Sequence, residues 1–260
     1  MKKSPFLFIA FFFLSILSNA QSLKPFKSGF YPILKSSKTT NQNTTNTYIA
    51  EGNNMVSTMT MSMQTNYEIE PSKNGEQKVH IGMKINSGTL EMMGQTQAIP
   101  STEQEEKSII VINAKGNIDR IEMGTEALEK LKQSGINTVQ IGKPLTFFIL
   151  VPNEKKAGDK WIDSTYANDF MVTDYEYTSN EGNLAVLKYV SRIKFVNTTT
   201  QNGMEIRSDM EGTVTGTFKV NTENNFVVQN NADMNLEGRM EVNTREIPMS
   251  IKGTVTDINK

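Results

Sequence analysis

The sequence predicts an all-β fold, mostly antiparallel, built as a long curved sheet that forms a barrel, a half-barrel or a sandwich. Three observations predict it. Long stretches alternate apolar and polar residues with period two, the signature of a half-buried strand. The polar faces of those stretches are distinctly polar, so each strand has one wet face and one dry face. Only one short segment, residues 125–134 (TEALEKLKQS, closed by Gly135), reads as a helix.

The chain opens with Met1, Lys2 and Lys3, an apolar run over residues 5–17 broken by Ser15, and small residues at Ser18 and Ala20. This pattern predicts a cleavable signal peptide over residues 1–20, with Gln21 as the mature N-terminus and no transmembrane anchor after cleavage. Export to a Gram-negative periplasm or the exterior is the expected localisation. The chain has no cysteine, which excludes disulfides, thiolate metal sites and a lipoprotein-type anchor. Cleavage would remove Lys2 and Lys3 and move the net charge from −1 to −3. Neither sign is concentrated, so nucleic acid is not expected as a partner.

Residues 21–47 read as an N-terminal segment followed by a polar linker. Phe26, Phe30, Tyr31, Ile33 and Leu34 are apolar enough to dock, whereas residues 36–47 contain no apolar side chain and read as a flexible connection. Residues 48–260 read as one β domain. Met55, Met59, Met61, Met63, Tyr67 and Ile69 occupy one face of a strand whose other face is Thr58, Thr60, Ser62, Gln64, Asn66 and Glu68. Lys73-Asn74-Gly75 supplies a turn, after which Val79, Ile81, Met83 and Ile85 resume the alternation. The same pattern returns over residues 204–220, 234–242 and 247–256.

An internal repeat is also expected. Tyr67 with its following residues aligns at an offset of about 108 on Tyr175, and Asn113, Asn117 and Ile118 align at the same offset on Asn221, Asn225 and Phe226. The implied units are residues 55–124 and 163–232. A single helix of about 15 Å cannot cover so many strands, so the sheet is expected to cover itself. Strands of this length also require bends, and Gly212, Gly216, Gly238 and Gly253 lie at or near their middles.

The dry face is rich in methionine and glycine. Met59, Met61, Met63, Met83, Met204, Ile206, Met210, Val214 and Phe218 are the candidate lining of a site for an apolar, lipid-like molecule. Three other features have bland readings that outweigh the chemical ones. Met59, Met61 and Met63 could hold Cu(I), but they continue a packing face. His80 is the only histidine and lacks the partners of a triad or a zinc site. Asp159 and Asp163 could form an acid/base pair, but Gly158-Asp159 reads first as a turn before Trp161. No metal and no cofactor is expected.

Pro152…Gly158-Asp159-x-Trp161, the methionine-rich strand before Tyr67 and the repeated β units resemble a group of uncharacterised exported proteins of Bacteroidota. That resemblance implies export and a β fold, and no reaction. The predicted shape is also similar to the half-barrels of lipoprotein carriers, a likeness of architecture that transfers no residue. Three functions follow in order: a non-enzymatic envelope protein sheltering an apolar ligand, a structural module or a partner of another envelope protein with a filled core, and a hydrolase using Asp159 and Asp163.

Overall fold

The structure is a computed structural model that describes residues 21–26, 30–50, 53–92, 94–102, 106–123, 141–142, 144–166, 170–201, 204–242 and 245–259. The expected signal peptide and the expected helix over 125–134 lie outside the described residues. Twelve strands are described: β1 (Leu34–Ala50), β2 (Asn53–Ile69), β3 (Glu76–Met92), β4 (Gln95–Ile99), β5 (Glu106–Asn113), β6 (Ile118–Met123), β7 (Lys160–Tyr166), β8 (Phe170–Glu181), β9 (Leu184–Gln201), β10 (Met204–Asn221), β11 (Val227–Val242) and β12 (Arg245–Asn259).

They form one unclosed, curved antiparallel sheet in the order β6-β5-β3-β2-β1-β12-β11-β10-β9-β8-β7, with β4 paired to β3. The chain starts in the middle of the sheet and meanders out to β6. It then crosses to β7 and meanders back until β12 pairs with β1 along Lys38–Tyr48. The seam between first and last strand is therefore central.

Residues 36–47 are not a linker. They form most of β1, hydrogen-bonded on both sides, to β2 and to β12. The correction has a physical reason. A strand inside a sheet satisfies its backbone whatever its side chains are, and β1 lacks the apolar alternation by which strands are recognised.

The register sorts the side chains. Residues directly opposite in antiparallel strands share a face. Leu34, Ser36, Lys38, Thr40, Gln42, Thr44, Asn46 and Tyr48 of β1 therefore lie on the same face as Ile69, Tyr67, Thr65, Met63, Met61, Met59, Ser57 and Met55 of β2. We call this the inner face, because both buried clusters sit on it. One cluster gathers Tyr31, Tyr67, Ile69, Val79, Ile110, Ile112, Ile118, Leu145, Phe148 and Phe226. The other gathers Leu23, Ile149, Val151, Trp161, Tyr177, Leu187, Val220 and Val227.

Both clusters occupy one end of the sheet, here the closed end, where β1, β3, β6, β9 and β11 begin and β2, β5, β8, β10 and β12 finish. The sheet does not cover this end with itself, as the sequence suggested. Irregular segments plug it: residues 21–26 and 30–31 from the N-terminal side, and residues 145–155. Leu23 and Lys155 exchange backbone hydrogen bonds of 2.9 Å, and Ile149 donates to the Asn225 carbonyl at 3.0 Å. Phe148 lies 4.8 Å from Tyr31 and 5.4 Å from Phe226 by ring centroids, and Phe147 lies 4.3 Å from Tyr67. Phe147 belongs to this plug rather than to a regular strand, and Phe148 makes a lone bridge to Phe226. Gln77, 2 % exposed, ties the plug to the sheet. Its amide donates to the carbonyls of Tyr31 and Glu70 and accepts from the Tyr31 N–H.

The sheet bends at glycines. Gly212, Gly216, Gly238 and Gly253 all lie on the inner face. A Cβ at Gly238 would stand 2.0 Å from the Asp209 carbonyl oxygen, and one at Gly212 would stand 2.2 Å from that of Asn235. Inner-face substituents meet the neighbouring backbone only where a sheet curls toward that face. The space goes to the opposite residues: Met210 lies across from Gly238 and Leu236 across from Gly212, and they are 1 % and 4 % exposed.

Candidate functional site

Away from the plug, the inner face opens. Tyr67, Ile69 and Val79 are no more than 5 % exposed, whereas Met55, Met83, Met92 and Met171, on the same face of β2, β3 and β8, are 37–52 % exposed. Met59, Met61 and Met63 lie between these limits, half-buried in one row along β2. Leu90 and Gly88 of β3 stand opposite Met59 and Met61. On the other side of β1, the inner row of β12 runs Met249, Ile251, Gly253, Val255.

The candidate residues fall into three groups. Met59, Met61, Met63, Met83, Ile206, Val214 and Phe218 are partly accessible on the inner face, and Met204 begins β10. Met210 is closed off over Gly238 and lines nothing accessible. Phe218 is part of an aromatic row, stacked on Tyr189 at 4.3 Å, with Trp161 stacked on Tyr175 at 5.0 Å nearer the β7 edge.

Sequence reasoning missed the polar row between the two apolar ones. Lys38, Thr40, Gln42, Thr44 and Asn46 project to the inner face from β1. Thr40 and Thr44 are buried, and Gln42 donates to the Thr44 hydroxyl at 2.8 Å. At the plug end of this row Lys38 Nζ stands 3.8 Å from Asp257 Oδ1, and the two side chains are only 22 % and 16 % exposed. Asp257 accepts hydrogen bonds from the Thr40 hydroxyl and, at 3.4 Å, from the Asn230 amide. Tyr189 donates to Asn230 Oδ1 at 3.0 Å. A polar chain thus crosses the seam from Tyr67 on β2 to Tyr189 on β9. The only available signal for it was the one charged residue, Lys38, inside the polar run.

Burial works to lower the Lys38 ammonium, but Tyr67 and Asp257 outweigh it and hold the group above its ordinary value. Tyr67 is pushed up by burial, partly offset by Lys38. Tyr189 is pushed up to about 12 by burial, with the Asp257 charge adding. The shifts keep Lys38 an ammonium and both phenols neutral at neutral pH.

Asp159 and His80 lie apart from the inner row. Asp159 accepts the Lys156 N–H at 2.8 Å in the turn closed by Gly158 (φ +96°), so its carboxylate serves the turn. His80 lies on the outer face, 2.6 Å from Glu70 Oε1. It borders a groove of about 850 Å³ that Lys35, Ser37, Asn66, Lys107 and Glu122 also line. A second outer groove of about 430 Å³ crosses β1, β12 and β11. Neither is bordered by the methionine row of β2. Among the described residues no three His, Asp or Glu side chains gather as a metal site, and no helix is long and apolar enough to cross a membrane.

Residues 122–227 match a family of unknown function, DUF6263. The matched span holds the second plug segment, residues 145–155, and all of β7 to β10. No curated protein matches the chain. Among solved structures, one of lipovitellin, described as showing lipid–protein interactions, is similar at 12 % identity with a TM-score of 0.48. The likeness covers 89 % of this chain and 25 % of that one, so the present chain spans about a quarter of the lipovitellin chain. At that level it transfers neither ligand nor activity.

Proposed function

We propose that this is an exported, non-enzymatic envelope protein whose curved sheet shelters an apolar, lipid-like molecule on the inner face beyond the plug. One observation carries the reading. A face buried at its closed end continues, in the same register, into methionines that are 37–52 % exposed. Apolar side chains left exposed in line with a buried face of a curved sheet are candidates for a binding or interaction site. Methionine suits the task, because its unbranched thioether adapts to guests of irregular shape.

A structural module with a filled core has one observation in its favour. Where Met210 and Leu236 fill their glycine notches, the inner face of β10 and β11 is already packed. The two readings predict different masses. Native mass spectrometry of protein purified from its own host should show an adduct that organic extraction removes. A single unliganded mass before extraction, with no uptake of an apolar fluorophore, would favour the filled core. Intact-mass analysis of the same sample reads the N-terminus, expected at Gln21.

A further inference from the structure

The inner face offers more than apolar area. Its two apolar rows are Met59, Met61 and Met63 on β2 and Met249, Ile251 and Val255 on β12. Between them runs the polar row of β1, which ends toward the plug at Lys38. Lys38 is the cation of this row, and its hydrogen-bonding capacity is not exhausted. Its ammonium has three donors; Tyr67 and Asp257 both act on it, Asp257 Oδ1 from 3.8 Å, which leaves at least one donor over among the described residues. Asp257, by contrast, is supplied by Thr40 and Asn230. Directly across from Lys38 in the register stands Asn259. Its amide donates to the Val227 carbonyl, while its buried Oδ1 has no hydrogen-bond partner. Native structures rarely leave such an acceptor alone, and a missing water or ligand group is the usual reason.

The geometry points to Lys38 as the anchor for the head group of a long-chain carboxylate, a fatty acid, whose hydrocarbon lies along the methionine row. The inference rests on the sheltering function proposed above and names its ligand class. A carboxylate fits where a neutral head does less. It accepts from the Lys38 donor left over, and charge-assisted hydrogen bonds are about twice as strong as neutral ones. In its protonated form the same head could donate to Asn259 Oδ1. From Lys38 to Asn46 the strand extends about 26 Å at ~3.3 Å per residue, so a long chain is accommodated without leaving the face. The nearby Asp257 charge works against a second anion, which sets up a specific test.

The experiment titrates delipidated protein with palmitate and with methyl palmitate, reading displacement of an apolar fluorophore. The wild type should bind palmitate at least about tenfold tighter than the ester, the scale of one charge-assisted hydrogen bond. Lys38→Met should remove that preference and leave ester binding unchanged. Asp257→Asn should strengthen palmitate binding. Lys38→Met leaves Asp257 buried without its cation. If that variant does not fold, the double variant Lys38→Met with Asp257→Leu, which removes both charges, carries the same expectation. Equal affinities for acid and ester in the wild type, or a preference that survives the loss of Lys38, would overturn the head-group assignment while leaving the sheltering function standing. Failure of both probes to bind would sink both.

Discussion

Single residues set the bend of this sheet, and Gly238 shows how. Any side chain there begins 2.0 Å from the Asp209 carbonyl and 2.9 Å from Met210. Backbone cannot yield as a flexible side chain can, so Gly238→Ala should cost about 1–3 kcal/mol, the range for overpacking. Urea denaturation should show a lower midpoint with an unchanged slope. Gly75→Ala, where nothing lies within 4 Å, should cost about 1 kcal/mol for its positive φ alone. The methionine row predicts the opposite behaviour. Leucine is close in volume, so replacing Met59, Met61 and Met63 together should keep the fold at about 1.5 kcal/mol or less per site. The wild type should take up no stoichiometric Cu(I) from a chromogenic chelator. Residues two apart on a strand are ~6.6 Å apart at the backbone, too far for three sulfurs to converge easily.

Tyr31 carries a pH prediction at the same scale. It is 4 % exposed, donates to the Gly116 carbonyl and accepts the Leu145 N–H. Burial pushes its phenol up to about 12, with the Leu145 hydrogen bond opposing. A folded-state value above the unfolded one means the folded chain holds its proton longer. Stability from this group is thus complete below pH 10 and lost as pH rises toward 12, by about 2–3 kcal/mol. Tyr189 adds to the same loss. Denaturation midpoints followed across that window, alongside tyrosinate absorbance, should show it, and Tyr31→Phe should flatten part of the slope. A midpoint that stays constant to pH 12 would contradict the burial of these phenols.

At the level of elements, legibility in the sequence followed the side chains. β2 was readable because its two faces differ: methionines, Tyr67 and Ile69 inward, Thr58, Thr60, Ser62 and Gln64 outward. His80 on the outer face and the Asp159 turn were readable for similar local reasons. β1 was not. Both of its faces are polar, and its inner row acquires meaning only from β2 and β12 on either side. The plug was half legible. Phe26, Tyr31 and Leu34 dock as their composition suggested, but Ile33 is 69 % exposed, and nothing in residues 145–155 announces that they cover a sheet. The β1 assignment makes a sharp prediction. Asn43 pairs with Thr60 and Thr254, inside a sheet rather than at its edge. Asn43→Pro would remove a ladder hydrogen bond and should cost about 3 kcal/mol or more. In a linker the same change would be neutral, so one thermal melt separates the two.

The whole molecule is two meanders joined at their ends. The pairing register repeats between them: Tyr67 faces Ile81 as Tyr175 faces Tyr189, and Gln77 faces Ile112 as Ala185 faces Val220, all at an offset of 108. The offset slips by one residue at the next ladder, where Ile112 faces Ile118 but Val220 faces Val227, each beside a bulge. A duplication of residues 55–124 and 163–232, which we propose, would leave this register. The layout also locates the weak point of the assembly. Among the described residues the meanders meet across the centre where β1 pairs with β12, the most distant strands in sequence, and at the closed end, where the plug stitches Leu23 to Lys155 and the aromatic cluster joins Tyr31 and Tyr67 to Phe226. Closing that seam requires ordering nearly the whole chain first, so folding should be slow, on the order of milliseconds to seconds or longer for a sheet of such non-local contacts. Truncation before Arg245 tests the point. It would open the backbone edges of β1 and β11 and strip Lys38 and Thr40 of Asp257. Unpaired long edges are templates for association, so the truncated chain should lose its single cooperative urea transition and self-associate in sedimentation. Full-length protein should show one transition by fluorescence and by circular dichroism alike. A truncated chain that stays monomeric and unfolds at the wild-type midpoint would mean that the seam contributes nothing, and that each meander stands alone.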